Sequence, residues 1–190
     1  MAKSKNENEL RLVRIYNASK KLVWNMWTED KHVREWWGPR GFTLTTKSKD
    51  LSPGGKWIYT MHGPDKVDYP NITIYHDVEE YSKLVYDHGA TEKTPPLFRV
   101  TVSFEEQIGK TVMDMTMTFE SAEAARQIEK HIKQANGTST WDRLAEYLEL
   151  QQSKKDIFII NRSFHAPLKK VFEMWIDPKN FSLWMGPTGL

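Results

Sequence analysis

A motif that returns near the end of the chain constrains its domain organisation more than any other feature. "EWWGPRGF" at residues 35–42 comes back as "LWMGPTGL" at residues 183–190. With one constant offset of 148 residues, as from Trp36 to Trp184, roughly 11 of 29 aligned positions are identical and no gap is needed. The pattern predicts that one structural unit begins twice in this sequence.

The repeat divides the chain into three parts. We predict a complete domain at residues 9–150, a linker ("QQSKK") at 151–155 and the start of a second copy at 156–190. One strand and two helices without a sheet cannot bury apolar side chains such as Phe172 and Trp175. We therefore expect a truncated piece of a natural tandem protein, in which the second copy is either poorly ordered or docked into a neighbouring chain as a domain-swapped dimer.

The complete unit opens with a strand. From Glu9 to Asn17 apolar and charged side chains alternate, as they do in a half-buried strand. We read Val13 and Ile15 as apolar positions of that strand, set against the charged Arg14. The alternation predicts one strand that borders a core.

Two short helices follow the strand. Ser19 is a suitable N-cap, and Met26 and Trp27 belong to an apolar set at helical spacing. A second helix begins at Asp30 and ends before Gly38-Pro39, because that dipeptide is a strong stop signal. The rest of the motif, with Gly41, is then a turn that leads into the next strand.

Six further strands and a long helix complete the unit. Short turns separate the strands and no helix lies between them, which predicts an antiparallel meander. A long helix begins at Ser121, and Gly137 is expected to kink it before residues 138–150 continue it. The order of elements predicts an α+β fold, with a curved antiparallel sheet of about seven strands wrapped on the long C-terminal helix.

Composition excludes several classes of protein. The formal charge is +2, from 27 basic and 25 acidic residues that are mixed along the chain, so no basic patch for a nucleic acid is present. The chain has no cysteine, which fits a reducing cytoplasm and excludes thiolate zinc sites. No apolar run approaches the roughly 18 residues of a membrane span, and residues 1–13 lack the apolar region of a signal peptide. We predict a cytoplasmic protein.

The motifs, taken in order, resemble the START-like, Bet v 1-like (SRPBCC) superfamily with its helix-grip fold. Within it, the similarity is to the domain of the activator of heat-shock-protein-90 ATPase and its homologues. The matching segments are "VWNMWTE", "WWGPRGF", "PGGKWIYTM", "YSKLVYDHG", "VTVSFEE" and "WDRLAEYLE". The resemblance covers about residues 9–150 and again 156–190. It implies a hydrophobic cavity between the sheet and the long helix, but "HGPDKVDYP" and "GTSTWDRL" depart from the family pattern at the cavity entrance.

Aromatic and methionine side chains on the inner face of the sheet and helix are the candidate cavity lining. Methionine and aromatic groups suit an adaptable apolar pocket, although each of them could equally be ordinary core. Arg40 is read either as a surface residue, which we favour, or as a contact for an anionic head group. The candidate ligand-binding residues are Trp37, Trp57, Tyr59, Met61, Tyr75, Tyr86, Met113, Met115, Met117 and Trp141.

The sequence offers no catalytic, metal or cofactor site. His62, His76 and His88 lie on different predicted strands without the close pair of ligands that zinc sites contain. Asp114 faces outward by alternation, and no phosphate-binding or nucleophile motif occurs. We therefore predict no catalytic residues, no metal and no cofactor.

Three functions stay open at this point. The first is a module that binds an apolar small molecule, lipid-like or polyketide-like. The second is a protein-interaction domain, for example one that regulates a chaperone ATPase. The third is a cyclase- or hydrolase-like enzyme that uses the cavity. A closed apolar pocket favours the first, an exposed apolar patch the second, and a buried ionisable group with a shifted pKa the third.

Overall fold

The computed structural model describes residues 6–91, 93–134, 139–153, 160, 162, 164 and 166–185. Within these ranges seven strands and six helices form. In chain order they are β1 (Glu9–Tyr16), α1 (Lys20–Thr28), α2 (Asp30–Trp36), β2 (Thr43–Lys49), β3 (Lys56–His62), β4 (Asp68–Glu79), β5 (Lys83–Ala90), β6 (Phe98–Gln107), β7 (Lys110–Thr118), α3 (Ala122–Gln134), α4 (Ser139–Gln152), α5 (Leu168–Ile176) and α6 (Pro178–Ser182).

The strands form one antiparallel sheet in the order β1-β7-β6-β5-β4-β3-β2. Consecutive strands from β2 to β7 are neighbours, and β1 joins the sheet beside β7, so the connections are those of a meander. Leu144 and Leu148 of α4 are buried in the same core as the inner face of the sheet. The predicted α+β helix-grip fold, with two short helices after the first strand, is confirmed.

The two short helices anchor the core with aromatic side chains. The Ser19 hydroxyl accepts a hydrogen bond from the Leu22 amide at 3.3 Å, as the sequence predicts for an N-cap. Trp36 of α2 is completely buried, and its indole N–H donates to the carbonyl of Met26 at 2.9 Å. This bond fixes the angle between the helices, because it joins α2 to the last turn of α1.

The buried face of β1 is the one that carries Leu10 and Leu12, and not the one that carries Val13 and Ile15. Arg14, not Val13 or Ile15, faces the core, and it forms an ion pair with Asp142 of α4 at 3.7 Å. Val13 and Ile15 lie on the exposed outer face. The alternation of a strand continues without interruption from Leu12, so position 14 points inward whatever residue occupies it.

The long C-terminal helix is described in two parts. Residues 122–134 form α3 and residues 139–152 form α4. The kink predicted at Gly137 lies outside the described residues.

The last two helices reproduce the bounds of α1, the first residue of α2 and one contact between that pair. The bounds of α5 are those of α1 shifted by the repeat offset. The indole N–H of Trp184 donates to the carbonyl of Met174 at 2.9 Å, as Trp36 does to Met26. Their environments differ, because Trp184 is 39% exposed whereas Trp36 is 0% exposed. No residue of α5 or α6 is buried.

Candidate functional site

An aromatic cavity lies between the sheet and the helices α1 and α2. The free space inside is about 10 Å³, which is about the room that one water molecule needs. The indole rings of Trp27, Trp37 and Trp57 form one wall, with ring centroids 5.6 Å apart for the first two and 5.5 Å apart for the last two. The full lining is Trp27, Trp37, Trp57, Thr73, Tyr75, Leu84 and Tyr86.

Strand alternation places most of the lining side chains. Trp57 on β3, Thr73 and Tyr75 on β4, and Leu84 and Tyr86 on β5 point to the same inner face, because residues two apart share a face. Tyr75 and Tyr86 are register partners, and their rings meet edge to face with centroids 6.1 Å apart.

Two lining side chains come from the helices. Trp27 lies in the last turn of α1, and Trp37 is the residue at which α2 ends. Gly38 follows with a φ of 93°, and a Cβ atom there would lie 2.9 Å from the Met61 methyl carbon. The turn that sets Trp37 over the cavity therefore requires glycine.

The structure brings together only some of the ten residues predicted to line a cavity. Trp37, Trp57, Tyr75 and Tyr86 line the space, and Tyr59 stacks on Trp57 with centroids 3.9 Å apart. The other five lie in or beside the core but outside the lining. They are Met61 beside Gly38, Trp141 stacked on Trp27 with centroids 5.7 Å apart, and the buried Met113, Met115 and Met117 of β7.

Three lining residues are absent from the predicted set. Trp27 was read as an ordinary core residue of its helix, and Leu84 carries no distinguishing signal. Thr73 is the more informative omission. It occupies an inward position of β4, two residues before Tyr75, so alternation alone could have identified it.

Three buried polar atoms in or beside the cavity lining make no hydrogen bond to any residue that the structure describes. They are the Tyr59 hydroxyl, the Thr73 hydroxyl and the indole N–H of Trp27. The Tyr59 hydroxyl lies near Trp37 and Thr73, but the bonding geometry is not met. Burial raises the pKa of Tyr59 and of Tyr86 above the usual range, so both phenols are neutral at physiological pH. A buried donor or acceptor without a partner costs about 1–3 kcal/mol, and natural proteins retain few of them.

His88 lies at the edge of the same aromatic cluster. Its ring centroid is 6.2 Å from that of Trp37 and 5.1 Å from that of Phe98. Burial lowers the pKa of His88 to about 4, so the imidazole is neutral at physiological pH. Asp87, its neighbour along β5, pairs with Arg99 on the other face, as strand geometry requires.

Lys49 also contacts the aromatic wall, although the sequence did not identify it. A bulge in β2 aims it inward: Thr46 pairs with Tyr59 and Ser48 with Ile58, so Lys47 is an extra residue. The Lys49 ammonium lies 4.4 Å from the centroid of the Trp57 ring. Burial lowers the pKa of Lys49 to about 8.

Arg143 of α4 holds the "WWGPRGF" turn in place. Its guanidinium donates to the carbonyls of Glu35, Gly38, Pro39 and Phe42, at distances from 2.8 to 3.2 Å. Four main-chain acceptors on one cation fix the backbone of the turn, and with it the backbone of Trp37, against α4.

Arg40 belongs to the same attachment. It donates two hydrogen bonds to the carboxylate of Glu146, at 3.0 and 2.5 Å, and its amide donates to the Ser139 hydroxyl at 3.0 Å. The side chain is partly exposed, and its charge is balanced by α4 rather than by a ligand head group.

A second polar arrangement lies on the outer face of the sheet. His62 bridges the Thr45 hydroxyl at 2.9 Å and the Asp68 carboxylate at 2.7 Å, which is the connectivity of a catalytic triad. All three side chains are open to solvent, and they lie on the face opposite the cavity. Exposed groups of this kind are ordinary surface hydrogen bonds.

The part of the chain that the structure describes contains neither a metal-binding cluster nor a membrane-spanning helix. No cluster of three or more histidine or carboxylate side chains there could hold a metal ion. None of the helices in the described ranges combines the length and apolar composition that a membrane crossing requires.

The fold and its aromatic interior define a helix-grip domain, and solved structures share that fold. A protein from Arthrobacter aurescens is 25% identical, with a TM-score of 0.70 over 77% of this chain and 90% of that one. A protein from Staphylococcus epidermidis is 23% identical, with a TM-score of 0.70 over 87% of this chain and 100% of that one. DynU16, from the dynemicin biosynthetic locus, is 17% identical, with a TM-score of 0.56 over 76% of this chain and 48% of that one.

The family follows from the sequence match. The model of the "Activator of Hsp90 ATPase homolog 1-like protein" family matches residues 17–149. The chain therefore belongs to that family, and the resemblance stated from its motifs is confirmed. The curated proteins contain no match.

Proposed function

We propose that this domain binds an apolar small molecule in the cavity between the sheet and the helices α1 and α2. The observation that carries the proposal is an aromatic cavity with three buried polar atoms, in or beside its lining, that lack hydrogen-bond partners among the described residues. Ligand sites of this kind combine apolar walls with a few polar groups that fix orientation. Membership of the family and a structural neighbour from a biosynthetic locus fit such a module.

Binding requires the cavity to open. A drug-sized ligand fills a few hundred Å³, whereas the free space here is about 10 Å³. Trp37 is the side chain whose movement would enlarge it, because it lies at the end of α2 and contacts both Trp27 and Trp57. The proposal is thus of a site that is closed when empty and opens when the indole ring rotates.

Native mass spectrometry of the purified chain, followed by solvent extraction, tests the proposal directly. A defined apolar adduct would support it and supply the ligand class. A panel of fatty acids, sterols and polycyclic aromatics would then be titrated against the fluorescence of the cavity tryptophans. An empty protein that ignores the whole panel would contradict the proposal. It would favour a protein partner, as the name of the family implies for its namesake.

The unbonded hydroxyls provide a sharper prediction. Thr73→Val and Tyr59→Phe each remove a buried hydroxyl without changing the shape of the side chain appreciably. We expect each substitution to raise the free energy of unfolding by about 1 kcal/mol, because the unbonded hydroxyl destabilises the folded state. We expect the same variants to bind the extracted ligand about 5- to 10-fold more weakly, because the ligand satisfies these hydroxyls. Chemical denaturation and fluorescence titration measure the two effects.

Thr101→Val is the matched control. Thr101 lies on the exposed outer face of β6, and its replacement should change neither quantity. If Thr73→Val lowers the free energy of unfolding, the hydroxyl has a partner in solution and the argument from unbonded groups fails.

We also propose that residues 156–190 begin a second copy of the domain. The repeat, the shared bounds of α1 and α5 and the shared tryptophan bond support this reading. In α1 the apolar face is buried against the core, whereas Phe172 and Trp175 of α5 are more than half exposed. An apolar face of this kind matches the interior of a helix-grip sheet, and in a swapped dimer it would be buried against a second chain.

A domain-swapped dimer through this segment is the expected consequence. Sedimentation velocity should show a monomer in dilute solution and a dimer as the protein concentration rises. Trp175→Glu should prevent the dimer, whereas Lys179→Glu, a surface change on α6, should not. A chain that stays monomeric at all concentrations would contradict the swap.

A further inference from the structure

Lys49 presents an ammonium group at the aromatic wall of the cavity with few partners. Its single hydrogen bond within the described part of the chain is to the carbonyl of Trp27 at 3.3 Å. Among the described residues, no carboxylate lies within 4.0 Å of its nitrogen in an ion pair. An ammonium has three donors, so two of them have no protein acceptor.

The charged residues around Lys49 are on α2. Asp30 attracts the ammonium; its Oδ2 is paired with Arg34, and its Oδ1 is a buried oxygen without a hydrogen-bond partner among the described residues. Burial opposes ionisation of Asp30, yet hydrogen bonds from Thr46 and Arg34 hold the pKa of that carboxyl below its usual range. Asp30 is therefore ionised between pH 6 and 9, and β3 offers Lys49 the face of Trp57.

The position of Lys49 links it to the cavity. Trp27 and Trp57, which contact its nitrogen, both belong to the cavity lining, although Lys49 itself does not. The indole N–H of Trp27 is a further buried donor without a partner. The Lys49 ammonium and the Trp27 indole N–H are both hydrogen-bond donors, and they lie beside an apolar space. This combination matches a ligand that has an apolar body and an anionic oxygen group.

We propose that Lys49 anchors the head group of the cavity ligand, and that the ligand is an apolar carboxylic acid. The inference rests on the proposed function and adds the ligand class to it. The aromatic walls take the hydrocarbon part, and the carboxylate replaces water as the acceptor for the Lys49 ammonium. The bulge at Lys47 serves this arrangement, because a regular strand would point residue 49 away from the face that Thr46 occupies.

Matched acids and amides test the proposal. 2-Naphthoate and decanoate would be titrated against 2-naphthamide and decanamide, which keep the apolar body and lose the charge. We expect the acids to bind at least 10-fold more tightly. Lys49→Met should weaken acid binding about 10- to 100-fold and leave the amides unchanged, whereas Lys49→Arg should retain most acid binding. Lys47→Met, which removes the exposed lysine of the bulge, is the control and should change nothing.

The pH profile separates a head-group contact from a structural role. A carboxylate beside Lys49 stabilises the ammonium, so the pKa rises from about 8 when the ligand binds. Acid affinity should therefore be constant from pH 6 to about 7.5, and should fall as pH rises through the pKa of the free lysine. Amide affinity should stay flat, and the pH dependence should vanish in Lys49→Met.

Each outcome distinguishes the inference from the function on which it rests. Equal binding of acids and amides, or equal losses for both in Lys49→Met, would overturn the anchor and leave the apolar cavity intact. Failure of all four probes to bind would overturn both. Acid binding that follows Lys47 rather than Lys49 would identify a surface charge effect and overturn the anchor.

Discussion

Trp36→Ala will lower the free energy of unfolding by about 3–5 kcal/mol, whereas Trp184→Ala will change it by less than about 0.5 kcal/mol. The two residues occupy equivalent positions in the repeat and make the same local hydrogen bond, to Met26 and to Met174 at 2.9 Å. They differ in burial, since Trp36 is enclosed by the core and Trp184 is not. The contrast therefore isolates the contribution of packing against the sheet and α4.

The measurement is chemical denaturation of the full chain, followed by circular dichroism in dilute solution, where we expect a monomer. Trp36→Phe provides an intermediate variant that keeps an aromatic ring and loses the N–H donor. A loss of more than about 1 kcal/mol in Trp184→Ala would contradict the expectation. It would mean that the second copy packs against the first domain in solution.

Much of the fold could be predicted because its signals are local. In β7 the alternation of Met113, Met115 and Met117 with polar residues indicates a strand with one buried face, and the structure buries all three. Ser19 and the Gly38-Pro39 pair mark where the first helix begins and the second ends, and these boundaries depend on neighbouring residues only. The antiparallel meander could be predicted because only short turns separate the strands from β2 to β7.

Local alternation places position 14 on the inner face with Leu12, but it does not explain why an arginine is tolerated there. Val13 and Ile15 are more apolar than Arg14, so composition favours burying them. The deciding contact is Asp142, which comes more than a hundred residues later and balances the charge of Arg14 inside the core.

The start of β4 depends on the sheet in the same way. It begins at Asp68 and includes Pro70, a residue that lacks the N–H donor of a regular strand. Pro70 is tolerated because β4 has only β3 as a neighbour there. Its pairing with β5 begins at Ile72, so the missing N–H removes no hydrogen bond.

The candidate site was predictable in part. Alternation gives the inward face of β3 and β5, and with it Trp57 and Tyr86. It cannot say which inward residues border free space, because the Met side chains of β7 and the aromatic rings are packed equally well. The inward position of Lys49 could not be predicted from the sequence for another reason. It results from a bulge that is visible only in the pairing register of β2 with β3.

Asp142→Ala will destabilise the domain by about 3 kcal/mol because it leaves the Arg14 guanidinium in the core without its carboxylate. The pair is 3.7 Å apart, and the two side chains are 24% and 9% exposed. Removing both charges should cost far less. The double variant Arg14→Met with Asp142→Leu is expected to unfold within about 1 kcal/mol of the wild-type protein, since apolar groups of similar size fill the same space.

The outer face of the same sheet supplies the control. Arg11 on β1 pairs with Asp114 on β7, with a hydrogen bond of 2.8 Å from the Arg11 Nε to the carboxylate, and both side chains are exposed. Asp114→Ala should cost less than about 1 kcal/mol, because solvent screens the pair. A double-mutant cycle for each pair, measured by denaturation at neutral pH, compares them. If the two couplings are equal, the Arg14 charge is solvated in solution, and α4 does not close over the inner end of β1 as the structure shows.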